Sequence, residues 1–262
     1  MTKRYSTSFS ASSRLFSPTI RRNVYAIYGL VRIADEVVDT YKGQDTEKVL
    51  KELQKELYVA LDRGYSTNPI IEAFVLTAIT YKIDESLIEP FFKSMMMDLN
   101  PVIFTKELYK EYIYGSAEVI GSMCLRVFCE GDDKLYKELH KGARALGAAY
   151  QKVNFLRDMA ADYHELGRVY FPDVHFGTFN DDIKQKIIVD IEKDFLLAKD
   201  ALKNLPDGSR RAVEMSVVYY EALLKKLKKT PSDIIKQKRI RISNAGKTAL
   251  YLKSIKWKKN NG

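Results

Sequence analysis

Apolar positions along this chain recur at steps of three and four from one end almost to the other. That spacing lays them along one side of an α-helix. Such runs span Thr19–Tyr41, Asp45–Leu61, Pro69–Tyr81 and Asp84–Leu99. Two longer ones, Thr105–Glu130 and Asp132–Leu166, are parted by Gly131. Asp181–Leu205 closes at Pro206-Asp207-Gly208, and Ser209–Lys229 stops short of Pro231. Asp45, Asn68 and Asp84 stand where a short polar side chain can accept from the first backbone N–H groups of a helix. Pro69 falls in a first turn, where its missing N–H costs nothing. Strand-like alternation is nearly absent, and Arg239-Ile240-Arg241-Ile242 is too short to build a sheet. Gly167–Thr178 has the composition of a loop. With no repeat and no linker rich in Gly, Ser or Pro, the pattern predicts a single all-α domain of eight to ten helices over residues 1–262.

Composition narrows the class. The 262 residues are 46% hydrophobic and 29% charged, ordinary for a chain that buries one substantial core. No apolar run approaches the ~20 residues needed to span a bilayer, and Met1–Phe9 lacks the apolar core of a signal peptide. A cytoplasmic protein is the expectation. Cys124 and Cys129, five apart in one helical run, are poorly placed for a disulfide, and they make no zinc spacing with His140, His164 or His175.

The net charge of +9 is a local feature. From Lys225 onward, thirteen Lys and Arg residues stand against Asp233 alone, which leaves 30 basic and 33 acidic residues in the rest. The basic segment of about 225–262 can be a solvated face, or can meet anionic lipid or a phosphorylated ligand. Neither a helix-turn-helix nor a platform of aromatics is present, so nucleic acid is not expected as a partner.

Candidate chemistry lies in two aspartate pairs. Asp35/Asp39 sits in Arg32-Ile33-Ala34-Asp35-Glu36-Val37-Val38-Asp39, and Asp158/Asp162 in Asn154-Phe155-Leu156-Arg157-Asp158-Met159-Ala160-Ala161-Asp162. Four residues make just over one helical turn, about 6 Å of rise, so both carboxylates of a pair point the same way. Similar pairs at Glu85/Glu89, Glu107/Glu111 and Asp190/Asp194 read as solvated faces. The two special pairs differ in their company. Tyr28, Arg32, Asp35 and Asp39 form one stripe, and Gln151, Asn154, Asp158 and Asp162 another. Each runs along a helix that is otherwise apolar nearly all round, so the stripe must face something polar. Four carboxylates in a core are too costly to ionise unless paired or metal-bound. Either Arg32 and Arg157 neutralise them as salt-bridge clusters, or divalent cations with phosphates do so.

At these residues the chain resembles the squalene/phytoene synthase family, the head-to-head trans-isoprenyl diphosphate synthases. Its two aspartate-rich motifs are matched by Asp35–Asp39 and by Gln151–Asp158 with Asp162. Further blocks follow in the same order: Tyr5–Phe9, Tyr25–Tyr28, Tyr114-Gly115 with Gly121, Gly167–Pro172 and the helix of Tyr219. The resemblance implies an isoprenoid-synthase-type helical bundle around a central cavity, and among the members it is nearest to bacterial phytoene synthases. It implies Mg²⁺, with Mn²⁺ as a substitute, held by Asp35, Asp39, Asn154, Asp158 and Asp162. Arg32 and Arg157 are implied as clamps on diphosphate; Ser6, Thr7, Ser8, Tyr28, Gln151 and Tyr219 as further polar contacts; and Phe9, Tyr114 and Tyr170 as cavity lining beside cationic carbon.

The implied reaction joins two C20 prenyl diphosphates through a cyclopropyl intermediate to phytoene, with no nicotinamide. Use of C15 substrates, as in dehydrosqualene or squalene formation, is the alternative; a non-catalytic assembly relative is a more remote one. Peripheral membrane contact is compatible with the basic tail and a hydrocarbon product. Two departures are visible. Glu36 follows Asp35 where a second Asp is usual, and Ile242–Lys247 replaces a stretch that places a cation near the diphosphates. Lys247 or Arg241 is the available substitute there. Met95-Met96-Met97, near Phe91 and Phe92, reads as core before cavity floor.

Overall fold

The computed structural model describes residues 12–41, 43–100 and 103–250. Among them are ten α-helices and no strand. The first four are α1 (Pro18–Asp39), α2 (Thr46–Arg63), α3 (Pro69–Tyr81) and α4 (Glu85–Met97). Then come α5 (Lys106–Ile113), a π-helical turn (Tyr114–Glu118) and α6 (Val119–Phe128). The long α7 (Asp133–Leu166) is followed by α8 (Asp181–Leu202), α9 (Asp207–Lys229) and α10 (Ser232–Ile235). None of the helices described is long and apolar enough to cross a membrane.

Local chemistry sets most boundaries. Asn68 Oδ1 accepts from Ile70 N at 3.1 Å, and Asp84 Oδ1 from Ser86 N at 3.1 Å, as their positions predict. Asp45 does not cap α2; its carboxylate instead accepts from the Tyr41 hydroxyl at 2.7 Å. Helix α7 stops where Gly167 takes φ +67°, a left-handed conformation that most side chains resist. Helix α8 ends at Leu202, three residues before the predicted end, and α9 starts two residues earlier than predicted, at Asp207.

The predicted single run Thr105–Glu130 is interrupted. The π turn at Tyr114–Glu118 inserts a wider loop of backbone between α5 and α6. Gly115 sits in that turn against α4, where a methyl group would overlap the carbonyl oxygen of Pro90. Close backbone approach, not conformational freedom, is what requires glycine there.

Helix α7 forms the spine. It packs along α8, α6 and the π turn, while α1 packs on α3, α2 and α6. Phe74, Phe91, Phe92, Ile20, Ile27, Leu30 and Met123 are fully buried in one continuous core. Met95 is buried in it, with Met96 and Met97 packed against its edge, as the core reading expects. The pair Asp190/Asp194 is not a merely solvated face. Lys152, on the buried side of α7, reaches both carboxylates at 2.5 and 2.8 Å and ties α8 to the spine.

Candidate functional site: two carboxylate rows beside an apolar cavity

Helices α1 and α7 both contribute to the wall of a cavity of about 660 Å³. Its lining is mostly aliphatic or small: Val24 and Val31 from α1, Ile120 and Leu125 from α6, Gly142 and Leu146 from α7. Helices α8 and α9 complete it. At one end the lining turns polar, with Gln151, Arg157, Tyr219 and Lys247. A volume in this range suits a small-molecule ligand with a large apolar part.

The first row continues from that wall. Asp35 lies one turn beyond Val31 on α1, and Asp39 one turn further. Arg32 pairs with Glu36 and lies 3.9 Å from Asp35. Burial, then the neighbouring charge of Asp39, pushes the Asp35 carboxyl up to about 7, against the pull of Arg32.

The second row lies on α7. Asp158 is held twice: by Arg157, whose Nε donates at 2.9 Å, and by Arg239 at 2.7 Å. Asp162, one turn on, makes no ion pair among the described residues. Burial and the charge of Asp158 push its carboxyl up to about 7, and Asp39 of the first row adds to the effect. The rows therefore feel each other across the gap. Asn154 Oδ1 accepts from Tyr220 Oη at 3.3 Å, and Gln151 Nε2 donates to Ser116 Oγ at 3.4 Å.

These donors are all hard oxygens, the set that Mg²⁺ and Mn²⁺ take. Among the described residues no three His, Cys, Asp or Glu side chains converge tightly enough to hold an ion alone. Magnesium does not need that. It keeps several waters and is held by one or two carboxylates together with substrate phosphates. Two carboxyls held near 7 by burial and by like-charged neighbours one turn away are also groups that an added cation would relieve. The donor set fits.

Other expected residues fall as follows. Tyr28, half-buried, lies on α1 one turn before Arg32, and Tyr219 lines the cavity. Ser6, Thr7, Ser8 and Phe9 lie outside the described residues. Tyr114 and Tyr170 are not among the residues that line this cavity. The Tyr114 ring carries Arg144, 5.0 Å from its centroid. Tyr170 is sandwiched in an aromatic cluster, stacked on Phe155 at 4.1 Å and on Tyr112 at 5.3 Å. Its ring is committed to packing.

Three residues without a sequence-based role stand in the site. Arg239 meets Asp158. Asp98, the cap of α4, is buried and accepts from Tyr112 Oη at 2.7 Å. Arg168 lies 3.7 Å from Asp39 and 3.6 Å from Asp98. Arg168 belongs to the Gly167–Pro172 block, so a signal was available for it. The stretch before Lys247 is not empty of cations either, since Arg239 and Lys247 both come to the site.

The profile of the squalene/phytoene synthase family matches residues 2–245. The chain belongs to this family. The family is that of the head-to-head prenyl synthases, which act on prenyl diphosphates. The 4,4'-diapophytoene synthase of Staphylococcus haemolyticus is 24% identical over 247 residues, covering 87% of this chain and 85% of its own. The phytoene synthase of Arthrospira platensis is 24% identical over 263 residues, 91% of this chain and 85% of its own. In fold, a dehydrosqualene synthase solved with a ligand superposes with a TM-score of 0.80 at 19% identity, over 98% of this chain and 94% of its own. The squalene synthase HpnC from Alicyclobacillus acidocaldarius gives 0.75 at 20% identity, over 91% and 92%. Squalene/phytoene synthase membership makes this chain a prenyltransferase with an all-α terpenoid-synthase fold.

Proposed function

We propose that this protein is a phytoene synthase, joining two geranylgeranyl diphosphates head to head without a nicotinamide cofactor. The observation that carries the reading is the pairing of two carboxylate rows, in each of which burial and a like charge hold one carboxyl up, with the polar part of an apolar cavity's lining. Asp35, Asp39, Asn154, Asp158 and Asp162 would hold Mg²⁺, which when bound offsets the charge of the departing diphosphate. Arg32 and Arg157 offer planar forks to diphosphate oxygens, a geometry that lysine does not reproduce. Arg157 and Arg239, which share Asp158 here, are placed to exchange that carboxylate for phosphate. Tyr219 and Gln151 stand at the boundary between headgroup and chain. The aliphatic wall keeps water from the allylic cation formed when the C–O bond breaks, so the alkene of the second substrate captures it. Capture and loss of one proton close the cyclopropane ring; the remaining diphosphate then departs, and the resulting cation rearranges and loses a second proton.

A C15 version of this chemistry has its own support, because one relative similar over 87% of this chain is a 4,4'-diapophytoene synthase. One experiment separates them: purified protein with Mg²⁺ and either the C20 or the C15 diphosphate, without nicotinamide, followed by hydrocarbon analysis. Phytoene from the C20 substrate is expected, and Asp158→Ala should abolish it while far-UV circular dichroism stays helical. Product from the C15 substrate alone would reassign the substrate. No hydrocarbon from either would overturn the reading. The basic segment, of the kind anionic lipid attracts, makes contact with a membrane surface part of this proposal.

A further inference from the structure

Arg168 is left without a task by the chemistry above, yet three helix ends meet on it. Helix α1 ends at Asp39, α4 is capped by Asp98, and α7 ends just before Gly167. The Arg168 backbone N–H donates to Asp162 O at 2.9 Å. Its guanidinium donates to the main-chain oxygen of Asp98 and to Tyr170 Oη at 3.4 Å. It also lies 3.6 Å from Asp98 Oδ1 and 3.7 Å from Asp39 Oδ1. Asp98 is itself fixed by the hydroxyls of Tyr112 at 2.7 Å and Tyr170 at 3.4 Å.

The two sides of this arginine differ. Toward Asp98 it is anchored by hydrogen bonds, in a setting where its side chain is 13% exposed. Toward Asp39, whose side chain is 53% exposed, there is attraction at a distance too long for a direct hydrogen bond. A cation arriving at Asp39 would displace no hydrogen bond from Arg168 and leave its anchors in place. The same fixed positive charge opposes the cation and attracts the diphosphate that accompanies it.

We infer that Arg168, anchored by Asp98, is a positioning residue that stands in for metal charge beside Asp39 and makes cation binding depend on diphosphate. The inference rests on the two-row reading proposed above. It assigns Arg168 a linkage role: the arginine weakens the cation alone, and its penalty is offset once the anion is present. By reciprocity, cation and diphosphate then strengthen each other's binding more than they would without it.

The test is direct Mn²⁺ binding to the full chain, read by electron paramagnetic resonance, with and without inorganic diphosphate. Arg168→Gln should bind Mn²⁺ alone about fivefold more tightly, an order-of-magnitude figure for loss of one nearby charge. The enhancement by diphosphate should shrink in the same variant, and Arg168→Lys should stay within about twofold of the parent. Asp98→Asn removes a negative charge 3.6 Å from the guanidinium while the main-chain anchor stays, so the net positive charge beside Asp39 rises and Mn²⁺ binding should weaken. Opposite shifts from the two partners are what a purely structural role cannot give. An unchanged or weakened Mn²⁺ affinity in folded Arg168→Gln would overturn the inference alone. If Arg168→Gln fails to fold, the Asp98→Asn result decides, and tighter or unchanged binding there has the same effect. A parent chain that binds no Mn²⁺ even with diphosphate would remove the two-row reading itself.

Discussion

Asp35 and Asp162 each carry a carboxyl that burial and a like-charged neighbour one turn away push up to about 7. A carboxyl raised in the folded state binds its proton more tightly there than in the unfolded chain. Its contribution to stability is complete below the unfolded value near 4 and is lost as pH rises through about 7. Asp35→Asn removes that loss. The variant should therefore melt about 3 °C or more above the parent at pH 8 and show no gain at pH 4.5, with thermal scans in the absence of divalent ions as the measurement. A gain of equal size at both pH values would contradict the assigned cause. The aspartates were legible in sequence because their spacing is the helical repeat and their surroundings are apolar. Arg168 was marked only as part of the Gly167–Pro172 block, and Asp98 and Arg239 not at all, because each reaches the site from a different element. Arg168 and Asp98 are 70 positions apart, and nothing periodic along the chain announces that they meet.

At the scale of elements, the helical pattern was readable almost throughout, since three-and-four spacing and caps such as Asn68 and Asp84 act locally. What it missed is the π turn. Apolar spacing through Tyr114–Glu118 differs little from that of an α-helix, and the cause lies outside the segment, where α4 presses Pro90 against Gly115. Gly115→Ala should destabilise the fold by about 1–3 kcal/mol, the usual cost of overpacking, as seen in the midpoint of urea unfolding. A neutral result would mean that α4 yields. The reading of Asp190/Asp194 as solvent-facing holds for Asp190, which is 56% exposed, and fails for Asp194 for a similar reason. Only packing of α8 on α7 brings Lys152 beneath them.

For the molecule as a whole, cavity shape is set by small residues where helices come together. Gly142 of α7 faces Ala201 of α8 so closely that a methyl on the glycine would overlap the alanine side chain. Both line the cavity, with Ala143 and Ala198 nearby. Filling this corner should shorten the longest chain that fits. Ala201→Phe is expected to raise the ratio of C15 to C20 use by about tenfold or more, measured as product ratio in mixed-substrate assays. An unchanged ratio would place the substrate tails elsewhere. Size at this wall could not be read from sequence, because alanine and glycine look alike in a core or at a cavity until neighbours are known.

The spread of the site along the chain also bears on how the protein is made. Asp35 and Asp39 leave the ribosome early, whereas Arg168 follows 129 positions after Asp39 and Arg239 later still. At about 5–20 residues per second, the nascent acidic helix waits roughly ten seconds for its first distant counter-charge. During that interval its carboxylates have dissolved ions or water for company. Helix α1 can settle on α2, α3 and α6 while its acidic row still lacks these arginines, and translation that halts before Arg239 leaves Asp158 short of one of its two.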